Sequence, residues 1–423
     1  MRNFAKMNRR ALLQGMAATG LAATGIARPA FAVPKTLKIG LVVPQTGPLA
    51  FFTEHLPFTL EAVKKATSNQ ISAGSAAVPF EIIIKDSQSS PNRAAEVTQE
   101  LILNDKVNVV MAFATPETVN PVSDQCELNG IPCLTNDAPI EPYFFGRGGD
   151  PKTGFDWTSH FFFSGANLSK TFLAFWNKLE TNKAFGALWP NDSDGQAYAT
   201  IFTELLGGNG YKIADPGRFD MPAANYSAQI SAFKSGGCDI VNGVLPPPEF
   251  TSFWSECAQQ GYKPRVVTVG KALEFPAAVG PLGDRAVGLS VEVWWSRFHP
   301  YASSLTGQSS AELADAYEAE SGRQWSMPLG YRHALFEVLI DALKRTEDLD
   351  DPASIQKAIR ATDYKSIVGP INFSKGPFPG VAETPLVTGQ WIKGKKFPIE
   401  LALVDNTTAP DVPVTAEPFL ISV

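Results

Sequence analysis

Two short stretches of the sequence hold side chains with the spacing of metal ligands. His333 and Glu337 are four residues apart, so on a helix they lie on the same face and could hold a metal ion together. The acidic stretch NDSDG at 191–195 is similar to the start of a calcium loop, but Gly195 is not the sixth residue of an acidic loop closed by a glutamate. A single histidine on such a helix is more often a packed structural residue. We therefore predict no metal site.

The motifs of common enzymes are missing from the sequence. It contains no GxSxG, no HExxH and no GxxxxGK[ST], which are the motifs of a serine nucleophile, a zinc site and a phosphate loop. Gly270 and Lys271 are followed by Ala272, where a phosphate loop needs Ser or Thr. No nucleophile, base and orienting residue come together, so we predict that the protein is not an enzyme and needs no cofactor.

Four cysteines, with no CxxC and only four histidines in the chain, make a zinc cluster improbable. Cys126 and Cys133 stand near a helix end and in the strand that follows, whereas Cys238 and Cys257 flank a strand and its helix. Each pair could come close in space. Two alternatives stay open at this point: two disulfides, or four buried free thiols.

The amino terminus has the layout of an export signal. Residues 1–10 are basic, an apolar stretch rich in Ala and Gly follows, and Ala30-Phe31-Ala32 is a small-x-small cleavage site. The twin Arg9-Arg10 is similar to a twin-arginine signal. We predict that residues 1–32 form this signal, that it is cleaved after about Ala32, and that the protein works in the periplasm.

The charge of the remaining chain is strongly negative. The whole sequence has a net charge of -6, but residues 1–32 carry five basic residues and no acid, so the rest has 31 basic and 42 acidic residues. Nucleic acids are bound mainly through Lys and Arg contacts to phosphates. We therefore predict no nucleic-acid partner.

Short apolar runs alternate with amphipathic helical stretches along the body of the chain. The first run, Leu37–Val43 (LKIGLVV), is typical of a strand that is buried on both faces. A first series of strands and helices extends to Thr135, and a second begins at His160 after a stretch rich in Pro and Gly. This order predicts an α/β fold with two doubly wound parallel sheets, one in each of two lobes. Ligands of such folds bind in the loops at the carboxyl ends of the strands.

Several segments together resemble the type I periplasmic solute-binding proteins of the branched-chain amino acid class, which serve ABC importers. The resemblance covers nearly the whole chain after residue 33, and its segments are KIGLVVPQTGPLA (38–50), DSQSSPNRAAEVTQELI (86–102), PVSDQCELNGIPCLTNDAP (121–139), ANYSAQISAFKSGGCDIV (224–241), GYRHALFEVLIDALKRT (330–346) and GPINFSKG (369–376). The family implies two lobes joined by three crossovers. It places residues 33–154 and 287–372 in lobe 1, and residues 155–286 and 373–423 in lobe 2.

The resemblance also implies a ligand site between the lobes. Phe52 falls where the family has an aromatic wall, and the other candidate ligand-binding residues follow predicted strands or fall at cleft positions: Thr115, Glu117, Thr118, Asp137, Ala138, Asp194, Pro246, Lys271 and Tyr331. The family's acid for an α-ammonium group falls near Lys271, with Glu274 a few places later. If Lys271 enters the cleft, an organic acid is favoured; if Glu274 does, an amino acid remains open.

These observations predict a non-enzymatic, monomeric carrier. It would capture a small carboxylate-bearing ligand, an amino acid or an aromatic or other organic acid, and deliver it to the permease and ATPase of an ABC importer. A sensor with the same fold is the first alternative, and a secreted α/β enzyme is a weaker one.

Overall fold

The computed structural model describes residues 36–73 and 76–422, and the predicted export signal at residues 1–32 lies outside them. The described residues form sixteen strands: β1 (Leu37–Val43), β2 (Gln70–Ala73), β3 (Ala76–Asp86), β4 (Val109–Ala112), β5 (Cys133–Asn136), β6 (Thr158–Phe162), β7 (Ala184–Leu188), β8 (Lys212–Ala214), β9 (Ile240–Leu245), β10 (Val266–Lys271), β11 (Ser290–Val293), β12 (Asp363–Ser366), β13 (Gly369–Asn372), β14 (Val381–Glu383), β15 (Val387–Lys393) and β16 (Ile399–Asp405). The same residues form twelve α-helices: α1 (Leu56–Thr67), α2 (Pro91–Gln99), α3 (Thr115–Asn129), α4 (Ile140–Phe144), α5 (Gly165–Asn177), α6 (Ser193–Gly208), α7 (Ser227–Ser235), α8 (Pro247–Gln259), α9 (Pro276–Val279), α10 (Ser310–Ser321), α11 (Pro328–Arg345) and α12 (Pro352–Arg360).

The first sheet has seven strands in the order β14-β6-β5-β4-β1-β3-β2. All neighbours pair in parallel except β2, which pairs antiparallel with β3 at one edge. Ile39 in β1 stands opposite Ile82 on one side and Val109 on the other. The near-continuous apolar sequence of β1 follows from this central position, because helices cover both faces of a parallel sheet.

The second sheet also has seven strands, in the order β16-β15-β11-β10-β9-β7-β8. Strands β8, β7, β9, β10 and β11 are parallel neighbours, and β15 and β16 add an antiparallel edge. A hairpin of β12 and β13 forms a third, two-stranded sheet. The predicted fold class of two α/β lobes is therefore confirmed, with mixed rather than purely parallel sheets.

The chain passes between the two sheets three times: after β6, after β11 and after β14. These crossovers differ from the lobe limits of the sequence analysis (33–154 with 287–372, and 155–286 with 373–423). Strand β6 pairs with β5 in the first sheet, β11 pairs with β10 in the second, and β14 pairs with β6 in the first. Each crossover thus follows the corresponding predicted limit by one strand, and sequence alone does not tell a strand that closes one lobe from a strand that opens the next.

The four cysteines lie among the described residues and are buried free thiols. Cys126 and Cys133 are neighbours, and burial together with the Cys133 thiol raises the pKa of Cys126 well above its usual value. The alternative of free thiols is thus the one that the structure adopts for Cys126, Cys133, Cys238 and Cys257. In the described ranges, no helix combines the length and the apolar character of a membrane span.

Candidate functional site

A small cavity lies between the carboxyl ends of the parallel strands of the two sheets. Its volume is about 20 Å³, which is room for about one water molecule. Both lobes supply its lining: Phe52, Thr115, Asp137, Pro139, Phe162, Phe163, Asp194, Tyr198, Val244, Lys271, Glu274 and Glu292. The lobes are therefore in contact here, and an organic ligand can enter only if they separate.

Local sequence explains how each side chain reaches the cavity. Thr115 begins α3 immediately after β4, and its φ of 64° is unusual for a residue other than glycine. Asp137 (φ 60°) follows β5, and Lys271 (φ 60°) ends β10. In the second lobe the Asp192 side chain accepts a hydrogen bond from the backbone N–H of Gly195 at 2.7 Å, which begins α6 and orients Asp194. Three residues with positive φ therefore lie at one cavity. Such backbone conformations cost free energy and are found most often at functional sites.

Lys271 is the centre of a buried ion cluster. Its Nζ lies 2.7 Å from Asp194 Oδ2, 3.6 Å from Asp192 Oδ2 and 3.7 Å from Glu117 Oε2. Burial alone would lower the pKa of Lys271, but the surrounding carboxylates raise it well above its usual value. Asp192 and Asp194 belong to the same lobe as Lys271, whereas Glu117 comes from α3 of the other lobe. The Glu117–Lys271 pair therefore joins the two lobes.

A second buried ion pair lies in the first lobe. The Arg332 guanidinium of α11 pairs with the Asp137 carboxylate, and its carbon atom lies 3.5 Å from the centre of the Phe113 ring. Both charged side chains are completely buried. Burial lowers the pKa of Arg332, but an arginine beside a carboxylate keeps its charge. The pair fixes Asp137 at the cavity wall and compensates its charge.

Burial and the proximity of other carboxyl groups raise the pKa values of three acidic side chains in the second lobe. Burial raises the pKa of Asp194 to about 7, with Lys271 acting in the opposite direction. Burial likewise raises the pKa of Glu274 to about 7. The pKa of Glu292 is raised well above its usual value by burial and by the charge of Glu274. The single positive charge of Lys271 therefore does not compensate all the carboxyl groups around it.

An aromatic contact also joins the lobes beside the cavity. Phe52 lies in a 3₁₀ turn, Ala50–Thr53, that follows β1, and its ring meets the edge of Phe275 from the second lobe at 4.9 Å between ring centres. The ring of Phe51 lies 5.5 Å from the same Phe275 ring, on the side of a larger groove of about 690 Å³ between the lobes. These rings separate the groove from the inner cavity.

The structure brings together six of the ten residues that the sequence analysis named. Phe52, Thr115, Asp137, Asp194 and Lys271 line the cavity, and Glu117 reaches it through its ion pair with Lys271. These residues meet because each follows a strand at the edge where the two sheets face each other.

The other four named residues lie behind the lining. The Thr118 hydroxyl lies 3.4 Å from that of Ser87, and the carbonyl of Ala138 is 2.7 Å from Nε2 of His160. Pro246 is the buried residue before α8. The Tyr331 hydroxyl donates to Thr384 Oγ1 at 2.6 Å, and its ring packs against Phe162 of the lining at 5.2 Å between ring centres.

Other residues at the site were not anticipated. Glu292 lies in the short buried strand β11, and Arg332 lies in the mostly buried helix α11. A charged residue in a strand that is buried along its whole length is a signal that could have identified Glu292, whereas α11 carries several ionisable residues and the sequence does not single out Arg332. His333 and Glu337 are not among the residues that line the cavity: His333 Nε2 contacts Ser303 Oγ at 2.8 Å, and Glu337 accepts from the backbone N–H of Ile367 at 2.9 Å. Within the described residues, no group of three or more His, Cys, Asp or Glu side chains is arranged for a metal ion.

Comparison with known proteins agrees with this fold. The model of a family described as periplasmic binding protein matches residues 36–396. A leucine-binding protein of Thermotoga maritima superposes with a TM-score of 0.72, at 17% identity, over 88% of this chain and 99% of that chain. An ABC transporter solute-binding protein of Rhodopseudomonas palustris, in complex with 3,4-dihydroxybenzoic acid, has a TM-score of 0.70 at 21% identity, over 89% and 99%. A branched-chain amino acid binding protein of Streptococcus pneumoniae, in complex with isoleucine, has a TM-score of 0.71 at 17% identity, over 87% and 100%.

Proposed function

Because the chain belongs to the periplasmic binding protein family, whose fold is that of non-enzymatic solute-binding proteins, we propose that it is the extracytoplasmic carrier of an ABC importer. It captures a small carboxylate-bearing ligand between its two lobes and delivers it to a membrane permease that an ATPase drives. It works as a monomer in the periplasm, after removal of an export signal that ends near Ala32. The similar structures bind amino acids or a hydroxylated benzoic acid, and both ligand classes are carboxylates.

The observation that carries this proposal is the cavity lined from both lobes and bridged by Glu117 and Lys271. A ligand that replaces or joins these interlobe contacts stabilises the arrangement in which the lobes touch. Closure of two lobes about a hinge is the motion that such carriers use. On the first lobe, Thr115 at the beginning of the fifteen-residue helix α3 supports binding of a ligand carboxylate, because helix N-termini favour negative groups.

The placement of Lys271 changes one expectation about the ligand. Lys271 does enter the cleft, but three carboxylates already surround its ammonium group. It is therefore not a free cation for an organic acid. The side chain of Glu274 also lines the cavity, so a ligand that carries an amine remains compatible with the site.

A thermal-shift screen of purified residues 33–423 against amino acids, aromatic acids and dicarboxylates tests the proposal. We expect at least one compound to raise the melting temperature, and mass spectrometry of the mixture to show that this compound is unchanged. The Lys271→Met variant should lose the shift, whereas Lys357→Met, which removes an exposed lysine of α12, should keep it. Chemical conversion of a compound, or no stabilisation by any of them, would contradict a carrier.

A further inference from the structure

The turn between β15 and β16 reaches from the second lobe to the first. Residues 394–398 form this turn, and both of its strands lie in the second sheet. Lys396 Nζ lies 2.5 Å from Oε2 of Glu318, which belongs to α10. Helix α10 follows the second crossover and so is part of the first lobe. Neither residue lines the inner cavity, so Lys396 and Glu318 form a charged contact between the lobes that is separate from the Glu117–Lys271 pair.

The first lobe surrounds Glu318 with partners of its own. Glu318 is 5% exposed, and a carboxylate is seldom buried without hydrogen bonds or cations. Its Oε1 accepts a hydrogen bond from the backbone N–H of Trp325 at 3.3 Å, and the Arg297 guanidinium lies 3.7 Å from Oε2. Arg297 is shared with Asp315 of the same helix, at 2.9 Å. Lys396 is thus the nearest cation to Glu318, and this cation is lost when the lobes separate.

The second lobe fixes the shape of the turn independently of this contact. Glu400 of β16 accepts hydrogen bonds from the backbone N–H groups of Lys396, at 2.8 Å, and Phe397, at 3.0 Å. Burial raises the pKa of Glu400, but these bonds and the charge of Arg297 outweigh burial and lower the pKa. The Lys396 ammonium group is therefore presented by a turn that is already ordered, so that less conformational freedom is lost when it meets Glu318.

The same turn lies along the groove between the lobes. Phe397 lines this groove of about 690 Å³ together with Phe51, and it also lines a smaller opening of about 300 Å³ together with Trp325. Phe51 and Trp325 belong to the first lobe. The turn therefore stands between the two openings and bridges the lobes at the groove, whereas the rings of Phe51, Phe52 and Phe275 separate the groove from the inner cavity.

We propose that residues 394–398 are a strap that holds the lobes together at the groove, and that Lys396 is its positioning residue, acting through Glu318. This inference rests on the proposed function, because it concerns how long the closed lobes retain a ligand. The pair exists only while the lobes touch, so it slows opening without contacting the ligand. The Lys396 side chain is 58% exposed, so dissolved salt screens the attraction. The strap thus sets the rate of release, and the inner cavity keeps the choice of ligand.

Charge reversal at Lys396, with its neighbour as control, tests the strap. Lys396→Glu places a carboxylate against Glu318, whereas Lys395→Glu makes the same change of net charge at an exposed position of the same turn. Small-angle X-ray scattering without ligand should give a larger radius of gyration for Lys396→Glu than for Lys395→Glu, and high salt should reduce this difference. Lys396→Arg, which keeps the charge, should give the wild-type radius.

Release of bound compounds is the second readout, with L-leucine, L-isoleucine and 3,4-dihydroxybenzoate as probes. In stopped-flow dilution a bound probe should leave Lys396→Glu about tenfold faster than Lys395→Glu, because an attraction becomes a repulsion. Equal radii for the two variants, or equal release rates of a probe that binds, would overturn the strap. A lower melting temperature of Lys396→Glu with equal radii would show that the pair only supports the fold, and would overturn it too. If no probe binds and the wider thermal-shift screen gives no hit, the proposed function fails, while the radii still decide the strap.

Discussion

Glu117→Gln should shift the protein towards separated lobes without weakening either lobe. Glu117 is the lobe 1 partner of Lys271, at 3.7 Å, and the other partners of Lys271, Asp192 and Asp194, belong to its own lobe. When the lobes separate, Lys271 keeps Asp194 but loses Glu117. The substitution therefore removes an attraction that exists only while the lobes touch.

The size of the effect follows from the geometry of the pair. Two unit charges 3.7 Å apart attract by about 4.5 kcal/mol at an effective dielectric constant of about 20. Lys271 is shared with two other carboxylates, so the net loss should be at the low end of measured interface pairs, about 1.5 kcal/mol. This corresponds to about a tenfold fall in the ratio of closed to open molecules.

Small-angle X-ray scattering of the purified protein measures this ratio without knowledge of the ligand. The radius of gyration of Glu117→Gln should exceed that of the wild type, and the affinity for any compound found by the thermal-shift screen should fall about tenfold. Glu61→Gln is the matched control, because Glu61 is exposed on α1 and pairs with Lys64 of the same helix. Identical scattering and affinity for wild type, Glu61→Gln and Glu117→Gln would refute the view that the Glu117–Lys271 pair holds the lobes together.

Three further predictions concern the aromatic contact, the packing of helices and the response to acid. Phe52→Ala should weaken ligand binding several-fold in calorimetry, because it removes an interlobe aromatic pair worth about 0.5–1.5 kcal/mol, and unchanged affinity would remove Phe52 from the site. Gly330→Ala should lower the free energy of unfolding, measured by urea titration, by about 1–3 kcal/mol, since its Cβ would lie 2.4 Å from the Trp295 ring. Gly207→Ala, a helical position with open space, should instead raise stability by about 0.4–1 kcal/mol, and a similar effect at both glycines would contradict the packing argument. The urea concentration at the midpoint of unfolding should change little between pH 7 and pH 5. At pH values below 4.5 this concentration should decrease. Burial lowers the pKa of each of the four histidines to about 3 or about 4, so the unfolded chain gains protons first as the pH falls through 6.5 and stability is lost. Above pH 4.5 the buried carboxyls with pKa values of about 7 oppose this loss, because the folded chain takes up their protons first. A steady decline from pH 7 would show that the carboxyls do not compensate.

The sequence predicted those features of the fold that depend on local pattern. The apolar run Leu37–Val43 is a strand with the predicted limits, because a strand buried on both faces leaves an unambiguous signal. Thr115, Asp137 and Lys271 were found through one rule, that loops at the carboxyl ends of parallel strands form the site. Such features need no knowledge of how distant segments pack.

Features that depend on packing between segments were not predictable in the same way. Helix periodicity cannot say which residues of the mostly buried helix α11 reach the cavity. Tyr331 is a predicted cleft residue, and in the structure its hydroxyl donates to Thr384. The roles of Glu292 and Arg332 depend on neighbours far away in sequence. Crossover positions depend on which sheet a strand joins, and a short strand such as β14 carries no information about that choice.

The central claim is that a small molecule binds between the two lobes. The most direct test is a crystal structure of residues 33–423 with the tightest-binding compound of the thermal-shift screen. The account predicts density for an unchanged compound that contacts Phe52 or Thr115 on one lobe and Asp194 or Lys271 on the other. Density at a surface groove, or contacts with one lobe alone, would contradict it.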